Sequence, residues 1–214
     1  MAQLERYAVS DLPRLGRMVR SAIRRQGIVA LPTETFYGFS VDPFSEEAVG
    51  RLLRVKGRED GKPVLILLAE PAQLSSVAST ISPGARLLME RFWPGALTIL
   101  LPAHPALSRN LTGNTGRVGV RLSSCAPLIE LLRIVGPVTG TSANRAGCPP
   151  LTTAEDVLRE FDDQIELVVD AGPTPGGLPS TVIDPGEPMT ILREGAVSRQ
   201  MIQNVLETHG MTVA

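Results

Sequence analysis

The sequence SEEAVGRLLRVKGREDGKPVLILL occupies residues 45–68 and contains three kinds of segment. A helix is predicted to begin at a Ser45 cap and to run to about residue 55, because apolar side chains recur every three or four positions. A charged loop follows at 56–62, and the apolar run at 63–68 predicts a buried strand. A helix joined in this way to a buried strand indicates a fold in which helices cover a β-sheet.

The same alternation continues on both sides of this stretch. Further helices are predicted at residues 10–26, 83–92, 127–134, 153–161 and 198–208, and further strands at 28–31, 96–101, 118–122, 137–139, 166–170, 181–184 and 189–192. Strands alternate with helices over most of the chain, but the last three strands cluster. The sequence therefore predicts an α/β (α+β) fold with a twisted mixed β-sheet flanked by helices. It contains no repeat and no linker, so residues 1–214 are expected to form a single domain.

Composition excludes several functional classes. The 214 residues include 21 Lys and Arg against 22 Asp and Glu, and a net charge of -1 argues against bulk electrostatic binding to nucleic acid or membrane. Two cysteines are too few for a disulfide scaffold or a Cys-rich zinc site, and the two histidines have no ligand-spaced neighbours. The sequence shows no signal peptide, and its longest apolar run is much shorter than the ~20 residues that span a bilayer. A cytoplasmic location is expected.

The charged loop at 56–62 supplies three cations within seven residues, which suits a triphosphate. Neither a Walker sequence nor a GxGxxG sequence is present, so a bound nucleotide would have to be held by side-chain cations and loop amides. Taken alone, this segment is better explained as a solvated surface loop whose cations lie near a helix C-terminus.

Arg121 is a stronger candidate for anion binding. It follows the apolar stretch VGV at 118–120, and the alternation of side chains along a strand places it on the same face as Gly119. That face is either exposed to solvent or directed into a cleft that holds an anion. Gly119 leaves room for a ligand beside Arg121, which favours the second interpretation.

Three segments rich in hydroxyl groups adjoin predicted strands: PTET at 32–35, TGTSAN at 139–144 and PST at 179–181. Hydroxyls, an amide and free backbone N–H groups suit a phosphate or ribose cradle. An ordinary turn, in which Ser and Asn side chains bind their own backbone, explains the second segment equally well.

In this order along the chain, the segments resemble the YrdC-like threonylcarbamoyl-AMP synthases. The resemblance rests on PTETFYG at 32–38, KGR at 56–58 with KP at 62–63, WPGALT at 93–98, VGVR at 118–121, TSAN at 141–144, and STVID at 180–184 followed by LR at 192–193. Each motif is weak alone, but six in order from about residue 10 to residue 200 form a strong signal. The resemblance implies a mixed sheet with a basic concave cleft and the short, single-domain bacterial form.

The resemblance also implies a reaction. L-threonine, bicarbonate (or CO2) and ATP would give L-threonylcarbamoyladenylate and pyrophosphate. Downstream proteins would then transfer the threonylcarbamoyl group to tRNA, so that tRNA is an indirect partner and no membrane is involved. Mg2+ is expected to accompany ATP, held mainly by phosphates and water. Phosphoryl-type chemistry depends chiefly on positioning and charge neutralisation, so a site without His or Cys suffices.

Motif by motif, the resemblance assigns roles to eleven residues of this chain. The catalytic residues would be Lys56 and Arg58; ATP would be bound by Arg58, Lys62, Arg117, Ser142, Asn144, Thr152 and Arg193; threonine would be bound by Thr35, Arg121 and Ser180. No metal-ligating residue and no general base is assigned. Longer family members often have Asn at the position of Lys62 and His at that of Leu67, so the threonine pocket is expected to differ there.

Three alternatives stay open from the sequence. A carbamoyl transferase that uses carbamoyl phosphate has the same fold, but the zinc-finger and acylphosphatase regions of such proteins are not seen here. An RNA-binding module for duplex RNA or tRNA is disfavoured by the balanced charge and by only 8 aromatic residues among 214. A non-catalytic nucleotide-binding regulator would bind ATP without releasing pyrophosphate.

Overall fold

The structure is a computed structural model that describes residues 1–57 and 63–214, and its strands pair into a ten-stranded mixed sheet. The strands are β1 (Gln3–Arg6), β2 (Val29–Leu31), β3 (Gly38–Ser40), β4 (Leu65–Leu68), β5 (Leu97–Pro102), β6 (Arg117–Leu122), β7 (Val138–Ser142), β8 (Leu167–Asp170), β9 (Thr181–Asp184) and β10 (Thr190–Arg193). Eight of them match the predicted strands to within a few residues.

Eight α-helices accompany the strands in the described residues. They are α1 (Leu12–Arg24), α2 (Glu46–Lys56), α3 (Leu74–Val77), α4 (Pro83–Phe92), α5 (Arg109–Thr112), α6 (Ala126–Val135), α7 (Ala154–Phe161) and α8 (Arg199–Glu207). The predicted Ser45 cap is confirmed, since its hydroxyl accepts the N–H of Ala48 at the start of α2. None of the helices in residues 1–57 and 63–214 has the length and apolar content needed to cross a membrane.

The strand order is β1-β8-β2-β3-β7-β4-β6-β5-β9-β10. Parallel pairs (β1/β8, β2/β8, β4/β6 and β5/β9) are interleaved with antiparallel pairs (β2/β3, β3/β7, β4/β7, β5/β6 and β9/β10). The predicted mixed sheet and α/β class are therefore confirmed. The strands β1 and β3 and the short helices α3 and α5 were not predicted. β7 continues to Ser142, beyond the strand predicted at 137–139.

β7 extends this far because strands lie on both sides of it. Thr141 pairs with Phe39 of β3, and Gly140 pairs with Leu65 of β4. The ladders satisfy the backbone groups of VTGTS, in which the β-branched Val and Thr residues favour a strand and Gly140 does not.

The two faces of the sheet carry different apolar clusters. In β4, Ile66 belongs to a large cluster that includes residues of α2, α4, α7 and α8, whereas its neighbour Leu67 belongs to a second cluster that includes residues of α1 and α6. Successive strand residues point to opposite faces, so helices cover both sides of the sheet. Helices α1 and α6 pack against each other.

Gly195 provides a stability test, because it lies against the backbone before β9. A Cβ added there would lie 2.1 Å from the carbonyl oxygen of Pro179, and backbone cannot move aside as a side-chain end can. We expect Gly195→Ala to lower the free energy of unfolding by about 2–3 kcal/mol, measured by urea denaturation. Gly50→Ala is the matched control. Its Cβ would meet nothing closer than 3.6 Å, and we expect it to stabilise α2 by about 0.5–1 kcal/mol. Equal effects of the two substitutions would contradict the packing described.

Glu46 links α2 to α5 and predicts a dependence of stability on pH. Its carboxylate accepts the Ser108 hydroxyl at 2.6 Å and the backbone N–H of Arg109 at 2.6 Å. The Ser108 hydrogen bond is the main cause that holds the pKa of Glu46 below its ordinary value of 4.5. A lowered folded-state pKa contributes stability above the unfolded pKa, and this is lost as pH falls through the folded pKa.

We therefore expect Glu46→Gln to be less stable than the parent chain at pH 7 by about 1 kcal/mol. Hydrogen bonds to a charged group contribute ~1.5–3 kcal/mol to stability, and the exposure of Glu46 to solvent reduces that contribution. The difference should shrink as pH falls below about 4.5, the ordinary pKa of Glu. Thermal melts at pH 7 and pH 3.5 would measure it, and a difference that stays constant with pH would refute the charged contact.

Candidate functional site

A cavity of about 570 Å³ opens over the middle of the sheet, on the face to which Leu67 and Arg121 point. The strands β3, β7, β4, β6, β5 and β9 all contribute to it. Its lining comprises Thr33, Thr35, Phe36, Tyr37, Gly38, Lys56, Pro63, Leu65, Leu67, Thr98, Leu100, Gly119, Arg121, Gly140, Thr141, Ser142, Asn144, Ala146, Pro150, Pro179, Ser180, Val182, Leu192 and Arg193.

The floor of the cavity combines leucines and glycines from adjacent strands. A Cβ on Gly140 would lie 2.5 Å from Leu67 Cδ1, and one on Gly119 would lie 3.0 Å from Thr98 Cγ2. Larger residues at either glycine would displace these neighbours or fill the cavity. Because glycines occupy these positions, the floor of the cavity lies close to the backbone of the sheet. The polar lining residues surround this floor.

Lys56 and Arg121 of β6 are the two most buried cations that line the cavity in residues 1–57 and 63–214. Arg121 is 4% exposed, and its Nε lies 3.4 Å from Glu34 Oε1. Within residues 1–57 and 63–214, neither of these two atoms has a hydrogen-bond partner. Burial lowers the pKa of Arg121, and the Glu34 carboxylate opposes that effect. A buried guanidinium in a cavity wall, with an Nε–H that has no partner among the described residues, is suited to hold an anion.

Glu34 is itself held from the opposite direction. The Ser123 hydroxyl donates to Glu34 Oε2, and the same Ser123 oxygen accepts the N–H of Cys125 at 3.1 Å, at the start of α6. A chain of contacts therefore runs from the α6 N-terminus through Glu34 to Arg121.

Lys56 ends α2 and reaches across to the segment after β7. Its ammonium donates to the backbone oxygens of Ser142 and Asn144 and, at 3.0 Å, to Asn144 Oδ1. The Ser142 hydroxyl donates to the same Oδ1 at 2.7 Å, and Asn144 Nδ2 donates to the Cys148 carbonyl. Lys56 is 4% exposed, so this charge acts inside the wall of the cavity and fixes the positions of Ser142 and Asn144.

A third polar group lies on the β5–β9 side. The hydroxyls of Thr98 and Ser180 are 2.9 Å apart and both buried. The guanidinium of Arg193 donates to the Ser180 carbonyl at 2.8 Å and to its hydroxyl at 3.2 Å. The pKa of Arg193 is lowered, first by burial and then by the charge of Arg121. Both cations line the cavity.

On the β3 side, Thr33 organises the turn that presents Thr35. The Thr33 hydroxyl accepts the N–H groups of Thr35 and Phe36 and lies 3.0 Å from the Thr35 hydroxyl. Tyr37 is buried below this turn and donates to the Gly172 carbonyl at 2.8 Å. This contact ties the turn to the glycine-rich segment at 172–177.

Seven of the eleven residues predicted from the sequence line this one cavity: Lys56, Ser142, Asn144, Arg193, Thr35, Arg121 and Ser180. Arg117 and Thr152 are not among the lining residues. Arg117 pairs with Asp184, and the Thr152 carbonyl accepts the N–H of Thr174. Arg58 and Lys62 lie outside the described residues.

The sequence analysis did not single out Glu34, Thr33 or Thr98. Glu34 and Thr33 lie in the PTET segment, and a carboxylate between hydroxyl-bearing residues was the available signal for the first of them. Thr98 lies in a strand whose period of two places it on the same face as Leu100, which also lines the cavity.

The described residues offer no ready-made metal cage. Residues 1–57 and 63–214 contain no group of three or more His, Cys, Asp or Glu side chains close enough to hold an ion. The donors around the cavity are hydroxyls, amides and cations, which suit anionic and hydroxyl-bearing ligands.

Comparisons with known proteins identify what this fold and cavity are similar to. Residues 21–195 match the Sua5/YciO/YrdC family model, which carries the description "Telomere recombination". Threonylcarbamoyl-AMP synthase of Pyrococcus abyssi is 37% identical over 89% of this chain, and that of Bacillus subtilis is 36% identical over 86%. The chain spans only 56% and 54% of the length of those two proteins.

A putative threonylcarbamoyl-AMP synthase of Mycobacterium tuberculosis strain H37Rv has a similar length. It is 37% identical to this chain over 186 residues, which are 86% of each protein. Among solved structures, P. abyssi Sua5 complexed with L-threonine superposes with a TM-score of 0.90 at 33% identity, over 100% of this chain and 62% of that one. Escherichia coli YciO, at 23% identity and a TM-score of 0.81 over 92% of this chain and 97% of that one, shares the fold.

The family model covers most of the chain, and relatives more than 30% identical match it over nearly its whole length. The ten-stranded sheet and its cavity agree with that assignment. The chain therefore belongs to the Sua5/YciO/YrdC family.

Proposed function

We propose that this chain is a nucleotidyltransferase that makes L-threonylcarbamoyladenylate and pyrophosphate from L-threonine, bicarbonate or CO2, and ATP. The product would be passed to proteins that modify tRNA with threonylcarbamoyladenosine. The observation that carries the proposal is the meeting of seven separately predicted residues around one cavity. The names of the family relatives, and the L-threonine in the P. abyssi Sua5 structure, support the same reaction.

The threonine end of the site would lie between β6 and the turn before β3. Arg121 would pair with the α-carboxylate, because its guanidinium is buried in the cavity wall and a guanidinium can donate through several N–H groups at once. Thr35 and Ser180 would contact the amino acid through their hydroxyls, which lie on two sides of the same cavity. Leu65 and Leu67 give this cavity an apolar floor.

The nucleotide end would lie along the segment after β7. Ser142 and Asn144 would contact ATP, while Lys56 keeps them in place and contributes positive charge beneath them. Arg193 adds a second cation across the cavity. Arg58 and Lys62 stay proposed phosphate contacts on the sequence alone. Arg117 and Thr152, which are not among the lining residues, stay proposed ATP contacts.

The chemistry requires two bond-forming steps. The threonine amine attacks CO2, forms a carbamate and releases a proton. A carbamate oxygen then attacks the α-phosphorus of ATP, and the bond to the leaving pyrophosphate breaks. The protein's contribution would be to hold the two anions in line and to neutralise the charge that develops on the phosphate oxygens.

Mg2+ would enter with ATP as part of the substrate. It would be held mainly by the phosphates and by water. A cytoplasmic location and a single domain over residues 1–214 stay part of the proposal. The comparisons add no support for the alternative functions. HypF structures are 20–21% identical to this chain, and a similarity at that level shows a shared fold but not a shared activity.

The first test of this function is product formation. Purified protein incubated with MgATP, L-threonine and bicarbonate should release pyrophosphate and form threonylcarbamoyladenylate, detected by mass spectrometry. Omitting threonine or bicarbonate should abolish release, since neither carbamate nor adenylate then forms. Pyrophosphate release that persists without threonine would refute the proposal, and ATP binding without any release would favour the non-catalytic regulator.

Replacement of Arg121 tests the threonine end. We expect Arg121→Ala to lower kcat/KM for threonine at least tenfold, because it removes charge-assisted hydrogen bonds of ~1.5–3 kcal/mol. Arg58→Ala should reduce turnover to a similar extent. Arg24→Ala, an exposed arginine of α1, is the control and should keep the parent rate. Parent-like kinetics in Arg121→Ala would remove this residue from the site.

A further inference from the structure

We propose that Glu34 is a positioning residue that orients Arg121 for its anionic substrate group, with Ser123 holding Glu34 in turn. The inference rests on the proposed function, since it names what prepares the threonine-binding cation. It adds to that function a residue that does not itself line the cavity. Four observations on the guanidinium and the carboxylate support it.

The first observation is that Arg121 is buried and that, in the part of the chain the structure describes, it pairs with a single carboxylate. Only 5% of its side chain is exposed, and Glu34 Oε1 lies 3.4 Å from Nε. A buried cation is unfavourable unless it is neutralised, and a carboxylate at this distance provides the neutralisation. Among residues 1–57 and 63–214, Glu34 is the one carboxylate that forms an ion pair with Arg121.

The second observation is that the hydrogen bonding of this pair is incomplete. Both Glu34 Oε1 and Arg121 Nε are buried, and the described residues offer neither of them a hydrogen-bond partner. The pair is in Coulombic contact but has not closed into a bidentate geometry. A small shift of the guanidinium on anion binding would therefore let Nε donate to Oε1 while the terminal N–H groups donate to the ligand.

The third observation concerns how Glu34 is fixed. Its other oxygen, Oε2, accepts the Ser123 hydroxyl, and Ser123 is fully buried at the end of β6. The carboxylate therefore has one oxygen anchored to the scaffold and one directed at Arg121. Because a guanidinium is planar, a carboxylate that faces Nε also sets the direction of the two terminal nitrogens.

The fourth observation distinguishes orientation from direct participation. Arg121 lines the cavity, whereas Glu34 is not among its lining residues. Glu34 contacts Arg121 without lining the cavity itself. Its effect on the substrate is therefore expected to pass through the guanidinium.

A double-mutant cycle on L-threonine binding tests this arrangement. Titration calorimetry would give the Kd for L-threonine of the parent chain, Glu34→Ala, Arg121→Ala and the double variant. We expect Glu34→Ala to raise this Kd at least fivefold and Arg121→Ala at least tenfold. Adding Glu34→Ala to Arg121→Ala should change the Kd by less than twofold, because the first residue acts through the second. Multiplicative effects would overturn the inference.

A conservative variant separates orientation from charge alone. Glu34→Gln keeps the shape of the side chain and an oxygen that can accept the Arg121 Nε–H. We expect a threonine Kd within about threefold of the parent value, and a loss equal to that of Glu34→Ala would overturn the orienting role. Ser123→Ala is a milder second variant should Glu34→Ala fail to fold. It should raise the Kd by two- to fivefold, and only when Arg121 is present.

Three controls make the result specific. The Kd for ATP should stay within twofold in Glu34→Ala, since Lys56, Ser142 and Asn144 are untouched. Glu90→Ala removes an exposed carboxylate of α4 and should bind threonine as the parent does. A parent chain that fails to bind L-threonine would overturn the proposed function and this inference together. Parent binding with an unchanged Kd in folded Glu34→Ala would overturn the inference alone.

Discussion

Side chains of the central strands alternate between the two faces of the sheet, and this alternation separates the core from the cavity. Val118 and Val120 of β6 pack into the large apolar cluster, while Gly119 and Arg121 between and after them face the cavity. Residues 118–121 thus supply two side chains of the core, the open space at Gly119 and the positive charge of Arg121. A shift of one residue in the register of β6 would turn Gly119 toward the core and take the Arg121 side chain out of the cavity.

The charge of Arg121 constrains the sequence around it. A guanidinium that is buried beside the apolar residues of β6 has to be neutralised from within the fold, and Glu34 does so from the turn between β2 and β3. The same turn presents Thr35 through the hydrogen bonds of Thr33. One short segment therefore supplies a ligand-facing hydroxyl and the partner of a ligand-facing cation, which explains why polar residues occupy a buried position of the chain.

Much of this organisation could be predicted from residue patterns. Helices with a Ser or Thr cap and strands with uninterrupted apolar runs were located well, because caps and burial act locally. Strand β1 has no apolar pattern, and β3 is three residues long, so only their neighbours in the sheet reveal them. The role of Lys56 was also beyond the sequence, since its bonds to Ser142 and Asn144 join residues 86 and 88 positions apart. Glu34 meets Arg121 and Ser123 only once the sheet has formed.

The two outermost strands have a consequence for the behaviour of the protein at high concentration. β1 carries Glu5 and Arg6 among four residues, and β10 is irregular where the pairing shifts between Ile191 and Arg193. Short, charged or bulged borders give an approaching chain little backbone to hydrogen-bond. Although the interior strands are rich in leucine, valine and isoleucine, these borders protect the molecule against aggregation by intermolecular β-pairing.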